Sequence, residues 1–442
     1  MFTKVLEKIV KDQLYLYLET NNILTNCQYG FRKNKNITEA FFKLNELINS
    51  AISTGKKFLI TFFDLAKAFD SIKRSILLKK LKLIGIKGLT LKWFRTYLFN
   101  RKQFVSINGV DSDQEPVNYG VIQGSTLGPL LFLIYINNLS KIPISGDMFL
   151  FADDATICFQ GNDWDTVFNT AKRDIAMIKK WFDQNVLTVN VNKTKIMPLT
   201  LRDRGGTLNN FITLHSCGDV QCNNCNCARI ERVDSFKYLG IFIDSKITWT
   251  AHIQYINKKL RKMIYVFRHL RDILNLKELT TTYYAYVQSI LEGGIITWGG
   301  AYKTALQPLI VTQKAIIKAA LGRCRRYSTE SLFNDFRVLD VRQLFVRTIL
   351  TYIYDHSGQI FENVTHNYAT RNATALGVRA PRLARTFSVT NVYYITHMIY
   401  QNIPIYLRDF YCSSATYKMR VKNWLHDIGR DNCERLLTSI YR

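Results

Sequence analysis

The stretch Phe149–Phe159, FLFADDATICF, sets Asp153 and Asp154 side by side within an apolar, β-branched run. Neighbouring carboxylates repel each other, and burial makes each ion costlier. A strand that only had to pack gains nothing from such a pair. The run therefore reads as two short strands with the acidic pair at their turn, where a positive partner has to offset the charge.

A second acidic strand end lies upstream. KKFLITFFD, residues 56–64, reads as a buried strand that finishes on Asp64. If the strands are neighbours in one sheet, Asp64, Asp153 and Asp154 meet at one edge. Three carboxylates cannot all stay ionised together without a cation. Magnesium takes oxygen ligands and keeps positions for water and substrate phosphates. Two such ions clamp the attacking and leaving oxygens in nucleotidyl transfer. On residues alone this narrows to a polymerase or a nuclease.

The rest of the chain supplies a frame for that edge. Helical spacing covers residues 3–18, with Val5, Ile9, Val10 and Leu14 on one side, and residues 37–52. Asp70-Ser71 reads as the N-cap of a helix through Leu83. Short strands are expected around FVSING (104–109) and EPVNYGVIQG (115–124). TLGPLLFLIYINNL (126–139) reads as a buried helix entered near Pro129. Residues 165–185 carry Val167, Phe168, Ala171, Ile175, Ile178 and Phe182 at helical spacing, and LTVNVNKTKIM (187–197) and FKYLGIFID (236–244) are further strands. The order strand, helix, strand pair, helix, strand predicts an α+β fold with a split βαβ antiparallel sheet and helices on one face.

Composition narrows the partner. The 442 residues are 47% hydrophobic and 21% charged, a globular balance. Lys plus Arg is 60 against 34 Asp plus Glu, a formal net charge of +26, which suggests a polyanion such as nucleic acid. Residues 251–330 hold 13 Lys and Arg against 4 Asp and Glu, and they read as a basic helical domain. The longest apolar run, GPLLFLIYI, is too short to span a bilayer, so no membrane role is expected. No secretory leader is visible, and nine cysteines placed mostly singly fit a reducing compartment.

Six segments, in chain order, carry a resemblance: QYGFRKNKNITEAF, TFFDLAKAFD, GVIQGSTLGPLLFLIYINNL, FADD, LTVNVNKTK and FKYLGIFID. Together they resemble the reverse transcriptase of non-LTR retrotransposons, jockey-like LINE-type elements in particular, over nearly the whole chain. The resemblance implies a right-hand polymerase. Partial fingers would cover residues 1–56, and a palm residues 57–249, with inserted fingers elements and a Cys-rich loop at 215–227. A helical thumb would cover residues 250–330, and a basic C-terminal region residues 331–442. It implies RNA-directed DNA polymerase activity with an RNA template, a DNA primer, deoxynucleoside triphosphates and two Mg2+ ions.

Residue by residue, Asp64 and Asp153 match the principal metal-binding aspartates and Asp154 the third catalytic carboxylate. Phe69 matches the steric gate that rejects a ribose 2′-hydroxyl, with Lys67 and Ala68 offering backbone amides to the triphosphate. Gln123 and Gly124 match the motif below the incoming sugar and templating base. Arg32 matches the fingers residue over the nucleotide, and Lys193 the lysine that protonates pyrophosphate, with Lys195 as its rival. Phe236, Lys237, Tyr238, Leu239 and Gly240 resemble the primer grip.

Plainer readings stand beside these. Phe69 can be core, Arg32 a solvated loop charge, and Gln123-Gly124 a simple turn. HSCGDVQCNNCNC contains His215, Cys217, Cys222, Cys225 and Cys227, and Cys222-x-x-Cys225 has zinc-ligand spacing. Structural Zn2+ and a reduced loop are both open there, the loop being preferred because all donors lie in one short segment.

Measured against the family, the chain reads as N-terminally truncated and lacking an endonuclease domain, since MFTKVLEKIV resembles a segment inside the fingers. A catalytically silent nucleic-acid-binding remnant is therefore the alternative, and an RNA-templated RNA polymerase is disfavoured by Phe69. The family would act in cytoplasm and nucleus, though no targeting signal is evident.

Overall fold

A computed structural model describes residues 2–33, 35–200, 206, 210–215, 227–360 and 392–438. By compactness the chain forms two units, one of Met1–Ala40 with Lys56–Phe236 and one of Phe41–Gly55 with Lys237–Arg442.

The first unit is built on a five-stranded sheet. Lys57–Phe63 lies at its centre, antiparallel to Asp154–Gly161 on one side and to Lys195–Pro198 on the other. Asp147–Phe151 closes the first flank as a hairpin with Asp154–Gly161, and Glu231–Arg232 adds in parallel at the far edge. Helix Arg74–Leu83 falls between the first and second of these strands in the chain, and helix Trp164–Gln184 after the third. Apart from the parallel edge, the sheet has the expected split βαβ order.

The central strand, KFLITFF, is buried on both faces, which suits its aromatic and β-branched content. Leu59, Phe63, Ala155, Ile157 and Phe159 share a core with Val167, Phe168, Ala171, Ile175, Ile178 and Phe182 of helix Trp164–Gln184. Asp163 caps that helix by accepting the Thr166 amide at 2.7 Å. Helix Gly128–Ile136 is buried nearly all round and carries Pro129 in its first turn, as expected.

Three local expectations are corrected. Helix Arg74–Leu83 starts three residues beyond Ser71, with Lys73 at its N-cap and no side-chain cap. The Asp70 and Ser71 amides are taken by the Lys67 carbonyl in a preceding turn, and the Asp70 carboxylate accepts from Gln123. In helix Phe2–Thr20 the buried residues are Glu7, Leu14 and Leu18, whereas Val5 and Ile9 are exposed. Glu7 is the reason, because it accepts the Tyr97 hydroxyl at 3.0 Å and the Thr126 amide at 2.8 Å. LTVNVNKTKIM is two strands in different sheets, Thr188–Val189 and Lys195–Pro198, broken where the Lys193 and Thr194 amides turn back to the Asn190 carbonyl.

The second unit is helical. Thr250–Leu270 packs along Lys303–Leu321, and Val341–Ile360 packs against Ser414–Thr438. The hairpin Ser235–Tyr238/Ile241–Asp244 leads into it. Asp244 joins hairpin to helix by accepting the Thr248 and Trp249 amides at 2.9 and 2.7 Å. Helices are found at Leu276–Tyr283, Ser289–Glu292 and Lys303–Leu321, where basic helices were expected. No described helix is long and apolar enough to cross a membrane.

Candidate active site

The antiparallel register brings the acidic residues together. Phe63 pairs with Ala155, so Asp64 and Asp154 follow on at the same end of adjacent strands. Phe151 pairs with Asp154, leaving Ala152-Asp153 as a two-residue hairpin turn. Ala152 has φ of +56°, a left-handed value that such turns require and that usually selects glycine.

Electrostatics report the crowding. The Asp154 carboxyl is pushed up to about 6, first by burial and then by the charges of Asp153 and Asp64. The cluster is therefore short of positive charge. Lys193 is the cation beside it among the described residues, its Nζ 3.8 Å from Asp64 Oδ2 on an exposed side chain. Among the described residues, no three His, Cys, Asp or Glu side chains are drawn together tightly enough to chelate an ion as they stand. The donor set nonetheless suits a hard divalent cation: oxygen-only ligands, one on the turn and two at the adjoining strand ends, and an excess of negative charge.

Asp64 is held by the segment that follows the helix. Its carbonyl accepts the Asn190 amide at 2.8 Å, and its own amide lies 3.4 Å from Thr194 Oγ1. Leu65 and Ala66 pair with Val189 and Thr188. Of the two candidate lysines, Lys193 is the one beside Asp64. Lys195 is bonded to Glu231 at 2.5 Å on the sheet edge.

The Phe69 region is a packed turn. Lys67 has φ of +47°, and Ala68 is buried. The Phe69 ring stacks on Phe132 at 4.6 Å and meets Phe31 edge-on at 6.4 Å, yet it stays partly exposed. The ring thus packs on the core while part of it stays accessible. Gln123 donates to Asp70 Oδ1 at 2.7 Å, and Gly124 has φ of +73°.

Arg74 was not foreseen in this neighbourhood. Its buried guanidinium donates to the carbonyls of Val117, Tyr119 and Gly120 and so holds the loop that leads to Gln123. Gly120 is required there: with φ of +81°, a Cβ would meet the Asp70 Cα at 3.0 Å. The lone arginine after a hydrophobic turn carried no pattern that separated it from the other basic residues.

Arg32 has another occupation. It forms a bidentate pair with Glu19 at 3.0 and 2.6 Å and donates to the Thr25 carbonyl at 2.7 Å. With its side chain 9% exposed, the guanidinium as it stands ties a loop to helix Phe2–Thr20 through three of its five N–H donors. Glu19 and Arg32 lie 13 residues apart, a spacing that carries no sequence signal of their pairing.

The primer-grip candidates form a tight hairpin. Leu239 and Gly240 both have positive φ, +47° and +86°, the pattern of a type I′ turn. Phe236 stacks on Phe62 at 4.4 Å. Lys237 lies 3.2 Å from the Tyr255 hydroxyl, and Tyr238 meets Phe41 edge-on. Of the zinc candidates, Cys217, Cys222 and Cys225 lie outside the described residues, which include His215 and Cys227.

Residues 1–243 match the family described as reverse transcriptase (RNA-dependent DNA polymerase). The chain is 24% identical to the RNA-directed DNA polymerase from mobile element jockey of Drosophila melanogaster, over 76% of this chain and 36% of that protein. It is 23% identical to the probable RNA-directed DNA polymerase from transposon X-element of the same organism, over 86% of this chain and 40% of that protein. It thus spans well under half the length of these relatives. Among solved structures, a Candida albicans telomerase in complex with a telomeric RNA fragment aligns with TM-score 0.42 and 12% identity, over 76% of this chain and 58% of that one. The chain belongs to the reverse transcriptase family.

Proposed function

We propose that this chain is the RNA-directed DNA polymerase of a non-LTR retrotransposon, extending a DNA primer on an RNA template with deoxynucleoside triphosphates. The observation that carries this is the convergence of Asp64, Asp153 and Asp154 on one sheet end, where the Asp154 carboxyl is pushed up to about 6. Asp64, Asp153 and Asp154 would hold Mg2+, which when bound supplies Lewis-acid activation of a 3′-hydroxyl and charge neutralisation at the pyrophosphate.

The protein's own groups do the rest. Lys193, exposed and close to Asp64, is free to move toward a leaving pyrophosphate and donate a proton there. Phe69 is braced by Phe132, so its edge resists displacement by a 2′-hydroxyl. Gln123, oriented by Asp70, and the left-handed Gly124 present a small, polar surface to the incoming nucleotide. The lysines and arginines of helix Thr250–Leu270 supply sequence-independent attraction for a duplex backbone. Action in cytoplasm and nucleus accords with this reading.

Primer extension by the full chain on an RNA template tests the proposal. Incorporation should need Mg2+ and fall at least ~100-fold in Asp153→Asn. Phe69→Val should admit ribonucleotides while leaving deoxynucleotide addition largely intact. Metal-independent binding of RNA without incorporation would identify the chain as a silent, nucleic-acid-binding remnant instead.

A further inference from the structure

The turn that bears Asp153 is strained, and a residue distant in sequence holds it. Ala152, at φ of +56°, is buried and precedes Asp153 directly. A non-glycine residue keeps such a conformation when its surroundings over-determine it. Those surroundings are residues 27–30. The Leu150 amide donates to the Cys27 carbonyl and the Tyr29 amide to the Leu150 carbonyl, both at 2.8 Å, so this segment runs beside strand Asp147–Phe151 in a parallel bridge.

Gln28 then reaches past the end of the strand. Its Oε1 accepts two backbone amides, Gly30 at 2.8 Å and Ala152 at 3.0 Å. The side chain is 2% exposed, and its Nε2 has no acceptor among the described residues. A buried amide nitrogen without a partner is costly, so a residue retained for packing alone is better served by an apolar side chain. Gly30 completes the arrangement: a Cβ there would meet the Ala152 nitrogen at 2.5 Å, so only glycine lets the two backbones approach this closely.

We propose that Gln28 is a positioning residue for the acidic turn: by holding the Ala152 amide it keeps Ala152 left-handed and thereby sets where the Asp153 and Asp154 carboxylates point. Its role is exerted through the backbone, and it touches no reacting atom. The proposal rests on the polymerase reading of that turn.

The test is Mn2+ binding to the full chain, followed by electron paramagnetic resonance, which needs no turnover. Gln28→Met keeps length and volume but removes the acceptor. It should weaken Mn2+ binding roughly tenfold, as loss of an outer-shell partner typically does. Adding Ala152→Gly, which makes the left-handed turn intrinsically accessible, should return binding to near the parent level. A role confined to packing predicts no such rescue. If Gln28→Met does not fold, judged by circular dichroism, Gln28→Asn withdraws the acceptor by one methylene and takes its place.

Unchanged Mn2+ affinity in the Gln28 variant overturns the proposal. So does weakened affinity that Ala152→Gly fails to restore. Asp153→Asn separates the two layers: if it leaves Mn2+ binding untouched, the metal-site reading itself is wrong, and the positioning role falls with it.

Discussion

Asp174 is fully and Asp154 partly removed from water in the same unit, and they are treated in opposite ways. Asp174 is fully buried, and its hydrogen-bond partners are all donors. The Ser145 and Gly146 amides reach it at 2.6 and 3.1 Å, and Arg173 pairs with it at 3.0 Å. It anchors the entry to strand Asp147–Phe151, one residue beyond those amides. Asp154, at the other end of that hairpin, has two carboxylates for neighbours and is pushed up to about 6. A buried charge that serves structure is satisfied by the protein itself. One that serves chemistry is left unsatisfied, to be completed by something bound.

The comparison breaks first at Asp174. Replacing it with alanine should cost about 3 kcal/mol, because two buried amides lose their acceptor. Urea denaturation reads this out, and an effect below about 0.5 kcal/mol would remove Asp174 as the structural member of the pair.

Arg74→Lys comes next. A lysine cannot serve three carbonyls in one plane, so a loss of about 2 kcal/mol is expected, with faster proteolysis near Gly120.

Asp154→Asn should act in the other direction. The folded carboxyl titrates at about 6, above the unfolded value of 3.8, so the folded state holds more protons between those limits. The parent chain, without metal, therefore loses stability as pH rises from about 4 to about 6 and stays lower above it. Asn should restore roughly 1 kcal/mol at neutral pH, allowing for solvent screening of a partly exposed group, and nothing below pH about 4. Destabilisation at neutral pH would contradict the unsatisfied character of Asp154.

The smallest effect is that of Ala152→Gly alone. Relief of the left-handed backbone and the extra freedom of the unfolded glycine nearly offset, so thermal stability should move by less than about 1 kcal/mol.

Much of this contrast was legible in the sequence, and the reasons are physical. Asp153-Asp154 stood out because a charge pair interrupts the continuous apolar run FLFADDATICF. The strand before Asp64 was equally legible as an unbroken apolar run, and helix Trp164–Gln184 as a long, sustained helical period. Asp174 was invisible for the converse reason. It sits beside Arg173 in an amphipathic helix, where such a pair normally faces solvent. Arg74 and Glu7 share that disguise. Gln28 stands in QYGFR beside Arg32, and a guanidinium advertises phosphate chemistry where an amide does not. Long-range partners decided each case, Glu19 for Arg32 and Ala152 for Gln28, and sequence spacing carries no record of them. The Cβ collision at Gly30 is likewise a property of two backbones meeting, legible only in three dimensions.

The most direct test of the central claim is thermal unfolding with and without millimolar Mg2+ at neutral pH, for the parent chain and for Asp64→Asn and Asp153→Asn. Binding to the folded state alone raises the midpoint. If the acidic cluster is completed by a cation, Mg2+ should raise the parent midpoint and leave both variants nearly unmoved. An equal rise in all three proteins, or none in the parent, would contradict it.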